Sequence, residues 1–307
     1  MKGGQHEIRY DYLHDVSVVI APGRTQRPHE YQQSFVPQHA KKRCVFCPPN
    51  LPTDEIIETV GENPWRLAAV KNIFPAVAKN QPKAYGHQEI IIETPDPERQ
   101  FHDFTPAQIA ELFKFFAHRS DQLFADPKIN YCLTFKNAGP QAGATIHHSH
   151  SQIFATSQTP LALEERHKRM KEYKHKYHSS YYEEMLENEA RSKRVIYQDD
   201  NLIAFCPYAS RYAYEAWLFP RHDHRRLNEL SDLELKTWAA VLKKLSKKII
   251  RLGHSYNFAL HETREDFDEP LHLTFVPRLG TWGGVEAASD FIINSMPPED
   301  AASYYRK

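Results

Sequence analysis

The sequence predicts an α+β protein of two similar halves, residues 1–160 and 195–307, joined by a charged connector at 161–194. Three observations lead there. Short runs rich in Val, Ile, Phe and Tyr, bounded by Pro, Gly and Asn, read as strands. Two longer stretches carry helix-start signals followed by apolar residues at helical spacing. The order of these elements in the second half then repeats the order in the first, more clearly than residue identity does. A chain of 307 residues, 41% of them hydrophobic, has ample material for a large core.

Taken in order, residues 7–9 and 18–20 read as two short strands, and 65–75 as a strand running into a proline turn. Residues 89–93 form an apolar strand that ends at Thr94-Pro95. Thr105 is a helix N-cap, with Pro106 at the first helical position and Gln108 placed to close a capping box. Ile109, Leu112, Phe113 and Phe116 supply that helix's packing face, and 130–136 is the next strand. From 161 to 194 the chain is dominated by Glu, Lys, Arg, His and Tyr. Opposite charges three and four residues apart there predict a mostly solvated helical connector. In the second half, 201–208 and 217–220 echo the first pair of strands. Ser231 with Glu234 starts a helix through Trp238, Leu242 and Leu245 that stops by Gly253, and 257–261 and 271–277 are the last strand pair.

Composition excludes several functions. Lys plus Arg and Asp plus Glu both total 39, so no bulk positive field argues for nucleic acid, and any anion must be met by particular residues. No apolar run long enough to span a membrane appears and none follows Met1, so neither a membrane span nor a secretory signal is expected, and the cytoplasm is the default. The four cysteines do not make a disulfide framework. Cys132 and Cys206 sit in apolar strands, whereas Cys44 and Cys47 have the spacing of a metal or redox pair.

The chemistry concentrates in residues 137–152. Alternate side chains of a strand share a face, so His148, His150 and Gln152 point together while Ser149 and Ser151 point away. Burying such a face dry leaves each polar group unpaired at a cost of roughly 1–3 kcal/mol, so the face expects water or a ligand. Gly139 and Gly143 in the preceding loop allow backbone N–H groups to approach an anion closely. A neutral imidazole beside a bound phosphate can attack phosphorus, and the labile phosphoramidate can pass its group to a second acceptor. Gln152 is placed to donate to a phosphoryl oxygen.

His-x-His-x-Gln after Asn-x-Gly and Gly-Ala-Thr resembles the active-site signature of the galactose-1-phosphate uridylyltransferase family, a branch of the histidine-triad (HIT) superfamily. Matching pieces run in order from Arg24 to Glu299. The resemblance implies duplicated HIT-like halves, each an antiparallel sheet with helices packed on it, and a homodimer. It implies nucleotidyl transfer between a nucleotide sugar and a hexose 1-phosphate, with His150 as nucleophile. His148 orients it or binds metal, and Gln152 and Thr145 hold phosphoryl oxygens. Asn137, Gly139 and Gly143 seat the phosphates. Residues 21–30 resemble the family's N-terminal pattern, in which arginines contact substrate phosphates, often in the neighbouring subunit's site; here these are Arg24 and Arg27. Asn72 lies in an Asn-x-Phe-Pro-Ala element near base and ribose. Glu286 in Gly-x-Glu holds sugar hydroxyls, with Asn294 helping. The Ile-Asn and Pro-Glu pattern of the tail is closer to a group that includes ADP-glucose phosphorylase-like proteins.

Two thiolates separated by two residues can bind one tetrahedral Zn²⁺. The family completes that site with His148 and with a His after a Thr-Pro-acidic turn. This chain has Thr94-Pro95-Asp96-Pro97, and Pro97 cannot bind a metal; His87, Asp96, His102 and His147 remain as substitutes. Some family members hold a second metal with three histidines and a carboxylate from the connector. Only His261 and His272 are present, so no iron site is expected. In this copy Thr274 replaces the second imidazole and Val276 the Gln, which leaves it without the chemistry. Three readings follow: exchange between UDP-glucose and galactose 1-phosphate, adenylyl transfer to phosphate by an ADP-glucose or dinucleoside-polyphosphate phosphorylase, and a nucleotide-binding module that has lost catalysis.

Overall fold

The structure, a computed structural model, describes residues 5–26, 44–62, 64–264, 267 and 269–307. Strands β1 (Glu7–Asp11) and β2 (Val16–Ile20) form an N-terminal hairpin. Strands β3 (Ile56–Val60), β4 (Leu67–Lys71) and β5 (Gly86–Ile92) precede helix α1 (Pro106–Phe124), and β6 (Tyr131–Ala138) and β7 (His150–Thr156) complete the first half. Helices α2 (Leu161–Tyr177) and α3 (Tyr181–Ala190) form the connector. The second half runs β8 (Val195–Gln198), β9 (Leu202–Phe205), β10 (Ala216–Pro220), α4 (Asp232–Arg251), β11 (Ser255–Thr263) and β12 (His272–Arg278). Short helix α5 (Gly284–Ala288), β13 (Phe291–Asn294) and α6 (Pro298–Arg306) follow.

Ten of these strands make one antiparallel sheet in the order β3-β4-β5-β7-β6-β11-β12-β10-β9-β8. Outward from the β6–β11 seam, each side presents the same succession of strands, so the predicted duplication is a symmetry of the sheet. The sequence did not indicate that the two sheets fuse. β6 and β11 pair from Tyr131 opposite Thr263 to Ala138 opposite Tyr256, so each covers a strand edge that would otherwise present unpaired N–H and C=O groups.

Helices α1 and α4 pack against one face of the sheet. Both predicted starts are present, Thr105 accepting from the Gln108 N–H and Ser231 from the Glu234 N–H, each closing a capping box. Such a cap contributes about 0.5–2 kcal/mol. Phe113, Phe116, Trp238, Leu242 and Leu245 meet Phe258 and Phe275 in the largest core.

The opposite face is covered differently in the two halves. Over the second half lie α2 and α3, with Met170 and Tyr182 packed on Phe205, Trp217 and Phe219. The connector is helical and mostly solvated, as its composition predicts, but one side of it is buried. Arg166 and Glu189 are buried, and the chain turns at His178, which takes a φ of 55°. Over the first half lie Phe46 and Leu51, against Ala68, Val70 and Ile92. The start of β7 lies buried beneath that smaller cover, with the His150 ring against Phe46.

The N-terminal hairpin pairs with β13, which runs parallel to β2, in a separate three-stranded sheet. Arg9 of β1 bonds Glu299 of α6 at 3.1 Å and stacks over Tyr208, so residues from the start of the chain pack on its end. Among the described residues no helix is long and apolar enough to cross a membrane.

Candidate active site and metal centre

His150 opens β7 opposite Ile92, and Gln152 lies opposite Ile90, which puts both on the face away from α1 and α4. The Phe46 ring stands edge-on to His150, with centroids 5.1 Å apart. His150 Nδ1 is 2.8 Å from the carbonyl oxygen of His148. A carbonyl only accepts, so Nδ1 carries the proton and Nε2 keeps its lone pair. Burial, and then the charge of Lys136, hold this imidazole below its usual pKa, so it is a neutral base at pH 7.

Gln152 is oriented by a residue the sequence did not single out. Gln88 donates to Gln152 Oε1 at 2.9 Å and accepts the Ala76 N–H at 2.8 Å, which directs the Gln152 amide nitrogen outward as a donor. The loop before β7 depends on its glycines. Gly139 and Gly143 both take a φ of 89°, and a Cβ on Gly139 would lie 2.4 Å from Ser255 Oγ. Asn257, also unsuspected, donates to Asn137 Oδ1 and to the Ala142 carbonyl, each at 2.8 Å, and so holds the loop on β11. A cavity of about 820 Å³ opens against this loop, with Asn137, Gly139, Thr145, His148 and His150 on its wall.

Among the described residues, Gly143, Gln152, Asn72, Arg24, Glu286 and Asn294 are not on that wall. Asn72 caps the turn after β4 through the Phe74 N–H and bonds the Gln88 carbonyl through its own N–H, which places it near Gln152. Arg24 is exposed in the turn Pro22–Gln26, and Arg27 lies outside the described residues. Glu286 caps α5 through the Gly283 N–H at 2.8 Å. Asn294 departs from the expectation. It is buried in β13, its amide nitrogen donates to the Ser210 and Tyr212 carbonyls, and its oxygen accepts from Met296, so in this structure its side chain holds a loop.

Cys44, Cys47 and His148 are the one group of potential metal ligands that converges among the described residues, their donor atoms all within 4.8 Å of one another. His148 Nε2 donates to the Thr94 carbonyl at 2.7 Å, which turns the Nδ1 lone pair toward Cys44 Sγ at 3.4 Å and Cys47 Sγ at 3.9 Å. A ligating histidine whose other nitrogen is fixed by a carbonyl is the usual outer arrangement of a metal site, so the residues fit the group. Burial and the neighbouring Cys44 push the Cys47 thiol up to about 11, so metal binding must displace its proton. Pro97 supplies no fourth ligand. Of the substitutes, His87 faces Asp126, His102 faces Asp103 and His147 meets Gln100. Asp96 is the one whose charge acts on both Cys47 and His148.

The second metal of the family does not fit here. The His261 and His272 rings stack at 4.7 Å and 8°, an arrangement that does not aim two in-plane lone pairs at one point. Their Nδ1 atoms meet the Tyr131 hydroxyl and the Pro270 carbonyl. The carboxylate beside them, Glu269, accepts from Arg166 and from the Tyr182 hydroxyl, each at 2.6 Å. The positive charge at this position comes from a guanidinium of the connector.

Comparison with known proteins identifies the family and the fold. The family described as galactose-1-phosphate uridyl transferase, N-terminal domain, matches residues 2–160. An ADP-glucose phosphorylase from Arabidopsis thaliana is 27% identical, over 98% of this chain and 92% of its own length. A galactose-1-phosphate uridylyltransferase from Thermotoga maritima is 24% identical over 98% of both chains. The crystal structure of an Arabidopsis ADP-glucose phosphorylase with bound ADP-glucose superposes with a TM-score of 0.85 and 26% identity, covering 99% of both chains.

Proposed function

Because the chain belongs to the galactose-1-phosphate uridyl transferase family, we propose that His150 carries the nucleoside monophosphate in transfer between sugar 1-phosphates. The chain is a nucleotidyltransferase of this family. The observation that carries the assignment to His150 is its tautomer: Nδ1–H is held by the His148 carbonyl, and Nε2 remains a free base on a residue of the cavity wall.

In the first step Nε2 attacks the α-phosphorus of a nucleotide sugar. A P–N bond forms, the bond to the bridging oxygen breaks, and hexose 1-phosphate leaves with the electron pair. In the second step a phosphate oxygen of the acceptor attacks the same phosphorus and the P–N bond breaks, returning the pair to Nε2. The Nδ1 proton stays on the ring and is shared with the His148 carbonyl, so the ring cannot turn as charge develops. Gln152 and Thr145 donate to the phosphoryl oxygens, and Asn137, Gly139 and Gly143 seat the diphosphate. Asn72 serves the nucleoside, Glu286 the sugar, and Arg24 the outer phosphate. Zinc, held by Cys44, Cys47 and His148, would fix the knuckle that carries Phe46 against the nucleophile. The same reading includes a homodimer, since the family's N-terminal arginines reach a neighbouring site. It also includes a cytoplasmic location, for which the four free thiols are suited.

UDP-glucose with galactose 1-phosphate is the first substrate pair. The full-length likeness to ADP-glucose phosphorylase favours a second reading, in which the nucleotide is adenylyl and the acceptor is phosphate. The test uses UDP-glucose and ADP-glucose labelled at the α-phosphorus, quenched in base, with the protein then counted. Label on wild type and none on His150→Ala is expected, and the donor that labels faster identifies the base. Galactose 1-phosphate or inorganic phosphate, whichever discharges the label, identifies the acceptor. Wild type without label from either donor, or His150→Ala with it, refutes the proposal.

A further inference from the structure

We propose that the buried ion pair between Lys136 and Glu93 is a positioning device for the nucleophile, a role that rests on the reading of His150 above. Neither residue belongs to the signature, and they lie behind the catalytic strand, on the face toward α1 and α4. Lys136 is 2% exposed, and its ammonium uses three acceptors: Glu93 Oε2 at 2.7 Å, Ser149 Oγ at 3.1 Å and the His150 carbonyl at 2.9 Å. Glu93 in turn accepts from the hydroxyls of Ser149 and Ser151, one on each oxygen. The two residues flanking His150 and the carbonyl of His150 itself are therefore tied to one buried pair.

The ties continue through the front of the strand. Thr94, next to Glu93, accepts from the His148 ring, and the His148 carbonyl accepts from the His150 ring. One short segment, Glu93-Thr94, thus grips the catalytic strand from both faces. The ring of His150 is fixed by a carbonyl whose own residue is fixed by Thr94, while its backbone is fixed by Lys136. Attack needs Nε2 about 3–3.5 Å from phosphorus and in line, and a misplacement of roughly 1 Å costs about a hundredfold in rate. A charged pair placed here sets that distance without touching substrate.

The test separates placement from stability. Lys136→Met or Glu93→Gln alone leaves a buried charge unpaired and lowers the melting temperature. The double variant Lys136→Met/Glu93→Leu removes both charges in favour of apolar groups, an exchange that buried ion pairs tolerate. It leaves no buried charge unpaired and is expected to melt closer to wild type than either single variant. In single turnover at saturating labelled donor, its His150 is expected to take up label about a hundredfold more slowly, with the half-saturating donor concentration changed about twofold or less. A double variant with restored melting and wild-type labelling rate overturns the proposal. Should that variant not fold, Ser149→Ala/Ser151→Ala removes the strand-side ties without burying a charge. About a tenfold loss in the same rate constant then supports the proposal, and no loss overturns it. Wild type that takes no label refutes the transfer reading itself, and this proposal with it.

Discussion

Arg166 gives the sharpest measure of what the connector does. Its guanidinium is buried and bonds Glu269 at 2.6 Å, and Glu269 is 2% exposed. Arg166→Met keeps most of the apolar stem and removes the charge, which leaves the carboxylate with the Tyr182 hydroxyl and the edge of His272. Deleting one partner of a buried pair costs roughly 3–5 kcal/mol. In a chain of this size 1 kcal/mol moves the melting temperature by about 2 °C, so a fall of roughly 6–10 °C is expected. Adding Glu269→Gln removes the stranded charge and is expected to recover about half of that. Calorimetry reads the temperatures. Hydrogen exchange read by peptide shows where the loss falls, and protection is expected to drop first in α2 and α3, whose Met170 and Tyr182 share the adjoining core. An Arg166→Met protein that melts within 1 °C of wild type, or one whose added exchange is spread evenly over the chain, refutes the idea that this guanidinium fastens the connector in place of a metal.

Three further outcomes follow from the geometry. Cys44→Ser/Cys47→Ser is expected to contain no bound metal by mass spectrometry, because no other donor cluster converges among the described residues; metal retained at half an equivalent or more contradicts the site. Glu262 lies fully buried with one oxygen unpaired, and burial raises its pKa from the ordinary 4.5 to about 7. A raised carboxyl adds stability that is fully present below pH 4.5 and is lost as pH rises through about 7. At about 1.4 kcal/mol per unit the contribution is on the order of 3 kcal/mol. Urea midpoints of Glu262→Gln are therefore expected to vary less between pH 4.5 and 8 than those of wild type, and identical profiles would contradict the assignment. Gly139→Ala meets both a φ of 89° and Ser255 Oγ at 2.4 Å, so it is expected to cost about 1–3 kcal/mol and to slow His150 labelling severalfold, as measured by melting and single turnover.

The parts legible in the sequence were those in which neighbouring residues answer to one local rule. The alternation of His148, His150 and Gln152, the capping boxes at Thr105 and Ser231, and the cysteine knuckle all have that character, and each recurs in the structure. What stayed hidden depends on contacts between distant positions. Lys136 reads as one more strand lysine until Glu93 is placed beside it, and Arg166 is one charge among many in a connector whose composition predicts solvation. Asn294 shows the converse. Its pattern resembles a ligand contact, but it is buried and three backbone groups use its amide, and no pattern of sequence records such engagement.

The seam between β6 and β11 bears on why a copy without the catalytic residues persists. Eight residues of the active half find their backbone partners in the inactive one, and β6 lies directly beside the strand that holds His150. Main-chain pairing does not need the polar side chains of the first half's signature, so Thr274 and Val276 can stand in this copy without opening the seam. Without that copy, β6 would present a raw, adhesive border one strand away from His150. The silent half serves as a hem.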